Sequence, residues 1–448
     1  MALPRAFDGF VHGAPCAVLT RLVAERIVDD TLLATLFQEH AVTQYDRAIT
    51  ITHLVEVMLD VAAGTAPSVR AGFLRREEEM TASLTAFYAK LDRTDPELGM
   101  ALVAQVARQL QPLIQHLGRF GHEPLTGIPS YILDGNMLAG TDHRLKPLRK
   151  TRAAALPGKS LVLYECASSL VTQTVLWEDA HSQERALLPQ LEIPGGAHLI
   201  ADRNFCVSWF LQHIQQSGSY FTVRHHKQFA LPDTTPERRV GRGDTGTIYE
   251  RCWEATEVGP NRVWRAIRVE LDEPTRDGDR EIAFITNLPT EFEAKSIAAA
   301  YRERWTIEGH FQRLTDHLHC EIPGLGQPRA ALFAFAVSLV AGNLLAVVIA
   351  ALGAANGDEV VENLSYYYLV NEIAGHYNGM MIALPAKRWD FARKQSPSEF
   401  ARTLRQIAQH ANLRILRKTR RGPKKKRRTP NCTNIRHLST KRILDQHK

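Results

Sequence analysis

The stretch YILDG, residues 131–135, decides how the middle of this chain folds. Tyr131, Ile132 and Leu133 form a short run of strand-favouring residues, and Asp134-Gly135 ends it with turn chemistry. The stretch Ala197 to Ala201, closed by Asp202, has the same form. Between them, Pro157-Gly158 reads as a turn, and Leu161–Tyr164 and Val171–Trp177 read as strands. Beyond Asp202, Phe205, Trp209, Phe210 and Ile214 mark an amphipathic helix, followed by a strand over Tyr220–Val223. Three strands, then strand, helix and strand predict a mixed sheet with helices on its faces. Strands of one sheet lie side by side, so Asp134 and Asp202 at adjacent strand ends can converge.

A third acid comes from farther along. Thr290 and Glu293 have capping-box spacing, which predicts a long helix from Thr290 to about Leu318, ended by Pro323, Gly324 and Gly326. On it Tyr301, Arg304 and Glu308 fall on one face, at i, i+3 and i+7. Three carboxylates suit a pair of hard cations, which can activate an attacking oxygen and stabilise a leaving one. An aromatic hydroxyl and a guanidinium beside them suit a phosphate backbone. Taken singly, each signal has an ordinary alternative: a strand-end Asp as turn or cap, an Arg and Glu four apart as a surface ion pair. Their order along the chain makes the case.

Outward from this core, residues 1–118 read as an all-helical domain, with His53, Leu54, Val57, Met58 and Val61 in one run and Leu102, Val103, Val106, Leu110, Leu113 and Ile114 in another. Residues 119–227 hold the first part of the catalytic core and 228–285 a β-rich insertion, with strands at Ile248–Trp253 and Val263–Leu271. Residues 286–411 complete the core with further helices, and 412–448 form a basic tail. Trp253 and Trp264 in the insertion suit strand packing better than base stacking. Ala331–Ala355 is apolar and long enough to cross a bilayer, but Gly342 and Asn343 at its centre favour a buried core helix.

The 448 residues carry 44% apolar and 23% charged side chains and a net charge of +7. From Arg414 to Arg428 there are ten Lys and Arg and no acid, so the rest of the chain is at −3. A localised basic run points to a polyanion, nucleic acid first. Six cysteines without a CxxC pair suit free thiols in a reducing compartment. The ending ALPGKS lacks the first glycine of a phosphate loop, Ala153 standing in its place. His317, His319 and Cys320 lack a partner pair at zinc spacing. Asp142, Glu165 and Asp179 are other acids near the strands.

The segments YRERWTIEGHFQRL (301–314), ILDGNMLAGTDHRL (132–145), LIADRNF (199–205), YFTVRHHK (220–227) and RRGPKKKRR (420–428) together resemble the DDE transposases of the insertion-sequence-four group, whose signature places Tyr, Arg, Glu and Lys on one helix. The resemblance runs from about residue 45 to 428. It implies an α/β (α+β) chain: an RNase H-like mixed sheet flanked by helices, interrupted by a β-rich insertion, with an N-terminal all-helical domain. It implies a catalytic, metal-binding triad of Asp134, Asp202 and Glu308 holding two Mg²⁺ ions, with Mn²⁺ as a substitute. DNA contacts carry over to Tyr301 and Arg304, with Arg224, Arg313 and Lys424, Lys425 and Lys426 beside them. The partners would be double-stranded DNA, both the terminal inverted repeats of the element and the target, and a second copy of the chain on that DNA. The expected setting is the bacterial cytoplasm and nucleoid, with no membrane. The signature Lys falls at Thr315, which leaves a catalytically inactive DNA-binding descendant as the alternative to an active enzyme.

Overall fold

The computed structural model describes residues 4–41, 48–118, 121–231, 236–255, 263–275, 278–419 and 437–447. The longer helices are α1 (Pro15–Ile27), α2 (Asp30–His40), α3 (Ile51–Ala62), α4 (Pro96–Leu117), α5 (Ser208–Gln216), α6 (Ala294–Arg302), α7 (Trp305–His317), α8 (Pro328–Asn356), α9 (Tyr366–Ala383) and α10 (Pro397–Ala408). The strands are β1 (Ser130–Met137), β2 (Ala154–Leu156), β3 (Lys159–Glu165), β4 (Leu170–Trp177), β5 (His198–Ala201), β6 (Tyr220–Arg224), β7 (Arg238–Arg242), β8 (Gly246–Glu254), β9 (Val263–Leu271), β10 (Glu281–Thr286) and β11 (His437–Ser439).

Nine strands form one sheet in the order β4-β3-β1-β5-β6-β10-β9-β8-β7. The first five make an RNase H-like half: β4, β3 and β1 are an antiparallel meander, and β5 and β6 run parallel to β1. Parallel neighbours need a crossover, and α5 supplies the one between β5 and β6. The insertion is not a separate lobe. Its strands continue the same sheet, because β10 pairs antiparallel with β6 and β9, β8 and β7 follow by hairpin pairing. Trp253 and Trp264 face each other across the β8–β9 pair, and both are buried.

Helices cover the sheet. α8 is the spine: it packs on α4, α10, α3 and α1 and also on β4. It is apolar and long enough to cross a membrane, yet 89% of its most apolar window is buried inside the protein. Two glycines let neighbours come close. A Cβ on Gly99 of α4 would sit 3.0 Å from the Ala336 methyl, and one on Gly342 would sit 3.2 Å from Leu314 of α7. Asn343, fully buried, accepts from Val171 N–H at 2.8 Å and donates to Val171 C=O at 2.9 Å. It thereby acts as one more strand residue against the outer edge of β4, and satisfies backbone groups that would otherwise lack partners. The N-terminal helices share this core. Val57, Met58, Leu102, Val106 and Leu110 join one cluster with residues of α8 and α10.

Three sequence expectations need correction. The helix expected from Thr290 to Leu318 is two helices, and it begins at Ala294 without a side-chain cap from Glu293. The break falls at Glu303-Arg304. There Glu303 N–H bonds Ala300 C=O, Arg304 N–H bonds Tyr301 C=O and Thr306 N–H bonds Glu303 C=O, a tightened i to i+3 pattern. β1 does not stop at Asp134 but runs on to Met137 against β3. The stretch 412–448, expected as a basic tail, also holds regular structure: β11 adds to β2 in parallel, and a short helix over Thr440–Gln446 follows.

Candidate active site

The carboxylates meet where the parallel pairing ends. Leu133 of β1 lies opposite Ala201 of β5, so the next residues, Asp134 and Asp202, emerge side by side. Asp134 accepts from the Gly135 N–H at 2.9 Å. Asp202 accepts from the Asn204 N–H at 2.8 Å and so caps the single turn Arg203–Phe205. The cap uses one oxygen of Asp202, whose carboxylate follows directly on the end of β5.

The break between α6 and α7 aims Arg304 inward. Its Nη1 donates to Asp134 Oδ2 at 3.3 Å and its Nη2 to Glu308 Oε1 at 2.7 Å. One guanidinium therefore joins an acid from the sheet to an acid from the helix. Burial pushes the Asp134 carboxyl up to about 7; Arg304 opposes this and the nearby Asp202 adds to it. Tyr301 is buried and stacked on Phe284 of β10, ring centroids 4.8 Å apart. Burial pushes its phenol up to about 12, against Arg304 and Arg224 close by. Arg224, at the end of β6, is held by Asp279 at 2.7 Å.

Other expected residues lie elsewhere. Arg313 points to α9, where it donates to Tyr366 Oη at 2.6 Å. Thr315 lies against Cys320, Oγ1 to Sγ 3.7 Å, and not with Arg304. Lys424, Lys425 and Lys426 are outside the described residues. The other acids near the strands have partners of their own: Glu165 is held by Gln111, Tyr131 and Ser168, Asp179 by Arg442 and the His181 N–H, and Asp142 by Arg144. Lys159 of the phosphate-loop-like ending donates to the Ser182 C=O in the loop after β4.

Two residues at the site escaped sequence reasoning. Glu184 packs its carboxylate over Gly135, where a Cβ would lie 2.7 Å from its Oε1, and Asn204 Nδ2 donates to it at 3.4 Å. It sits in a short turn (Glu184–Gln190) with no motif around it, so nothing nearby marked it. Trp305 is 62% exposed, and the Arg304 guanidinium lies 4.8 Å from the centre of its ring. It stands inside the segment 301–314 and was findable as an aromatic next to the key arginine; the kink that turns it to solvent was not.

Among the described residues no group of three or more His, Cys, Asp or Glu is placed to hold an ion. The reason is visible. Arg304 takes oxygens from Asp134 and Glu308, and Asn204 takes one from Asp202. The donor types suit a hard cation, but in this conformation their placement does not fit one.

With that geometry in hand, the likeness to known proteins falls on the same residues. Residues 131–335 match the family model described as the transposase DDE domain. The matched segment runs from β1 into α8 and contains Asp134, Asp202, Tyr301, Arg304 and Glu308. No curated protein matches the chain. Among solved structures, a cryo-EM structure of the piggyBac transposase synaptic complex with hairpin DNA is similar over 92% of this chain and 83% of its own, at 9% identity and a TM-score of 0.36. That likeness is too slight to bear on this chain's chemistry.

Proposed function

We propose that this chain is an active DDE transposase of the insertion-sequence-four type, which cuts and rejoins the DNA ends of its own mobile element. What supports the proposal is that Asp134 and Asp202 follow directly on the paired residues of two neighbouring strands and that Arg304 joins Asp134 to Glu308, inside the segment that matches transposase DDE domains. Carboxylates carried by strands and a helix suit hard cations, which stabilise the negative charge that develops on phosphate oxygens.

In this proposal Asp134, Asp202 and Glu308 are the catalytic carboxylates. Arg304 would clamp a backbone phosphate with its planar fork. The exposed Trp305 beside it offers a face on which an unpaired base can stack. Tyr301, fixed by Phe284, and Arg224 extend the same rim towards β6. The helices before residue 118 would read the terminal repeats. The basic run Arg414–Arg428 would add phosphate contacts that weaken steeply with salt. A pair of chains would bring two ends together, in the bacterial cytoplasm at the nucleoid.

The test is a cleavage and strand-transfer assay on duplex DNA carrying the element's ends, with Mg²⁺ or chelator, on the natural protein and Asp202→Ala. Joining by the natural protein, lost with chelator and lost at least about a thousandfold in the variant, is the expected result, since removal of one central group typically costs that much. Binding without cleavage by the natural protein would instead support an inactive descendant.

A further inference from the structure

A concavity opens beside the carboxylates and has no part in the function described so far. It is an open groove of about 730 Å³ between the segment 182–185, the segment 203–208 after β5 and the loop 226–230 after β6. Lys159, Arg185 and Arg203 line it, and Glu184 is the one acid in its lining among the described residues. We infer that this groove holds the backbone of the DNA strand that runs on from the phosphate beside Asp202. This path rests on the function proposed above and deepens it by assigning the substrate a course across the surface.

Three features carry it. The first is location. Arg203 and Asn204 follow directly on Asp202, and Asn204 Nδ2 reaches the Glu184 carboxylate at 3.4 Å. The groove therefore begins beside the carboxylates without using them. The second is unmatched charge. Lys159 is committed to the Ser182 C=O, but Arg185 is engaged through its Nε alone, by Gln183 Oε1 at 2.6 Å. Arg203 has no side-chain hydrogen bond or ion pair among the described residues. Arginines elsewhere in this half of the chain are matched instead: Arg224 with Asp279, Arg242 with Asp272 and Arg302 with Asp244. Two planar forks with donors to spare suit phosphate oxygens. The third is a helix start. α5 begins in the groove at Ser208 with no side-chain cap, and the first N–H groups of a helix favour an anion. An open, polar lining also differs from the enclosed, mostly apolar sites that take small molecules.

The test needs no cleavage. A labelled duplex of arbitrary sequence is bound to the full chain, and anisotropy is followed across a series of NaCl concentrations. Arg185→Gln combined with Arg203→Gln is expected to weaken binding on the order of tenfold. It should also flatten the slope of log affinity against log salt by about 1.8, for two lost phosphate contacts at about 0.9 each. Arg402→Gln combined with Arg405→Gln, on an exposed face of α10, removes the same charge and is expected to move the slope by less than about 0.5. Gln228→Lys adds a cation to the groove lining and is expected to strengthen binding severalfold and steepen the slope by about 0.9. It carries the test if the double arginine variant does not fold. An unchanged slope in the groove variants, or an equal change in the α10 control, overturns the groove, while joining that depends on Asp202 would leave the function standing. If the natural protein joins no end duplex yet the groove variants shift the slope as stated, the function falls and the groove remains a DNA site.

Discussion

Arg265 and Arg304 are both held against carboxylates, and they differ in how completely they are matched. Arg265, on β9 in the insertion, is 2% exposed. It pairs with Glu250 at 2.6 Å and donates to the carbonyls of Leu288, Pro289 and Phe292 at 3.2, 2.8 and 2.9 Å. Those carbonyls form the turn that leads into α6, so the insertion clamps the start of the helix that carries Tyr301. Arg304 holds two acids from different elements and reaches no carbonyl. A guanidinium surrounded on every side is structure. One held by two acids and a phenol, next to an exposed ring, is less completely enclosed.

The comparison breaks most visibly at Arg265. Replacing it with Leu leaves the buried Glu250 with only the exposed Arg238 as a partner and frees three carbonyls. The expected loss is about 3–5 kcal/mol of stability, read as a fall in the urea midpoint; a loss below about 1 kcal/mol would mean that the clamp is ornamental. A second matched group sharpens the contrast through pH. His198 on β5 is fully buried between Ser130 and Thr222, and burial lowers its pKa to about 3. As pH falls below its unfolded value of about 6.5, the unfolded chain takes up the proton first. Its contribution is therefore complete above that pH and is lost at roughly 1 kcal/mol per pH unit as pH falls towards 3. His198→Gln should flatten that part of the stability curve, and an unchanged slope between pH 6 and 4 would refute the assignment. The smallest effect on stability belongs to Arg304. Arg304→Gln should melt within about 1 kcal/mol of the natural protein, while its binding to end duplexes weakens by about tenfold or more. A large drop in stability would place Arg304 in the same class as Arg265.

Much of this was legible in the sequence, and the gaps have physical causes. Strand-ending acids after apolar runs located Asp134 and Asp202, because period and punctuation are local properties. The buried status of α8 was legible from the polar pair at its centre, and Asn343 proves to be the residue that binds the sheet. The split of the 290–318 helix was not, since Tyr301, Arg304 and Glu308 keep helical spacing across a break made by three tightened hydrogen bonds. Glu184 was missed because its place depends on Gly135 leaving room above β1, a contact between residues 49 positions apart. That strands β7 to β10 extend the sheet of β1 and β5 depends on the pairing of β10 with β6, which no run of residues announces.

A sheet of nine strands has only two edges through which one chain could zip onto another, and this molecule treats them differently. On the β4 side, a helix presents an amide shaped like a peptide group and closes the ladder from within. On the β7 side, the exposed strand Arg238–Arg242 carries three arginines along an edge that pairs with no further strand among the described residues. Like charges set side by side resist stacking of identical copies. Replacing Arg238, Arg239 and Arg242 together with uncharged residues is expected to raise edge-to-edge association of copies, read by light scattering.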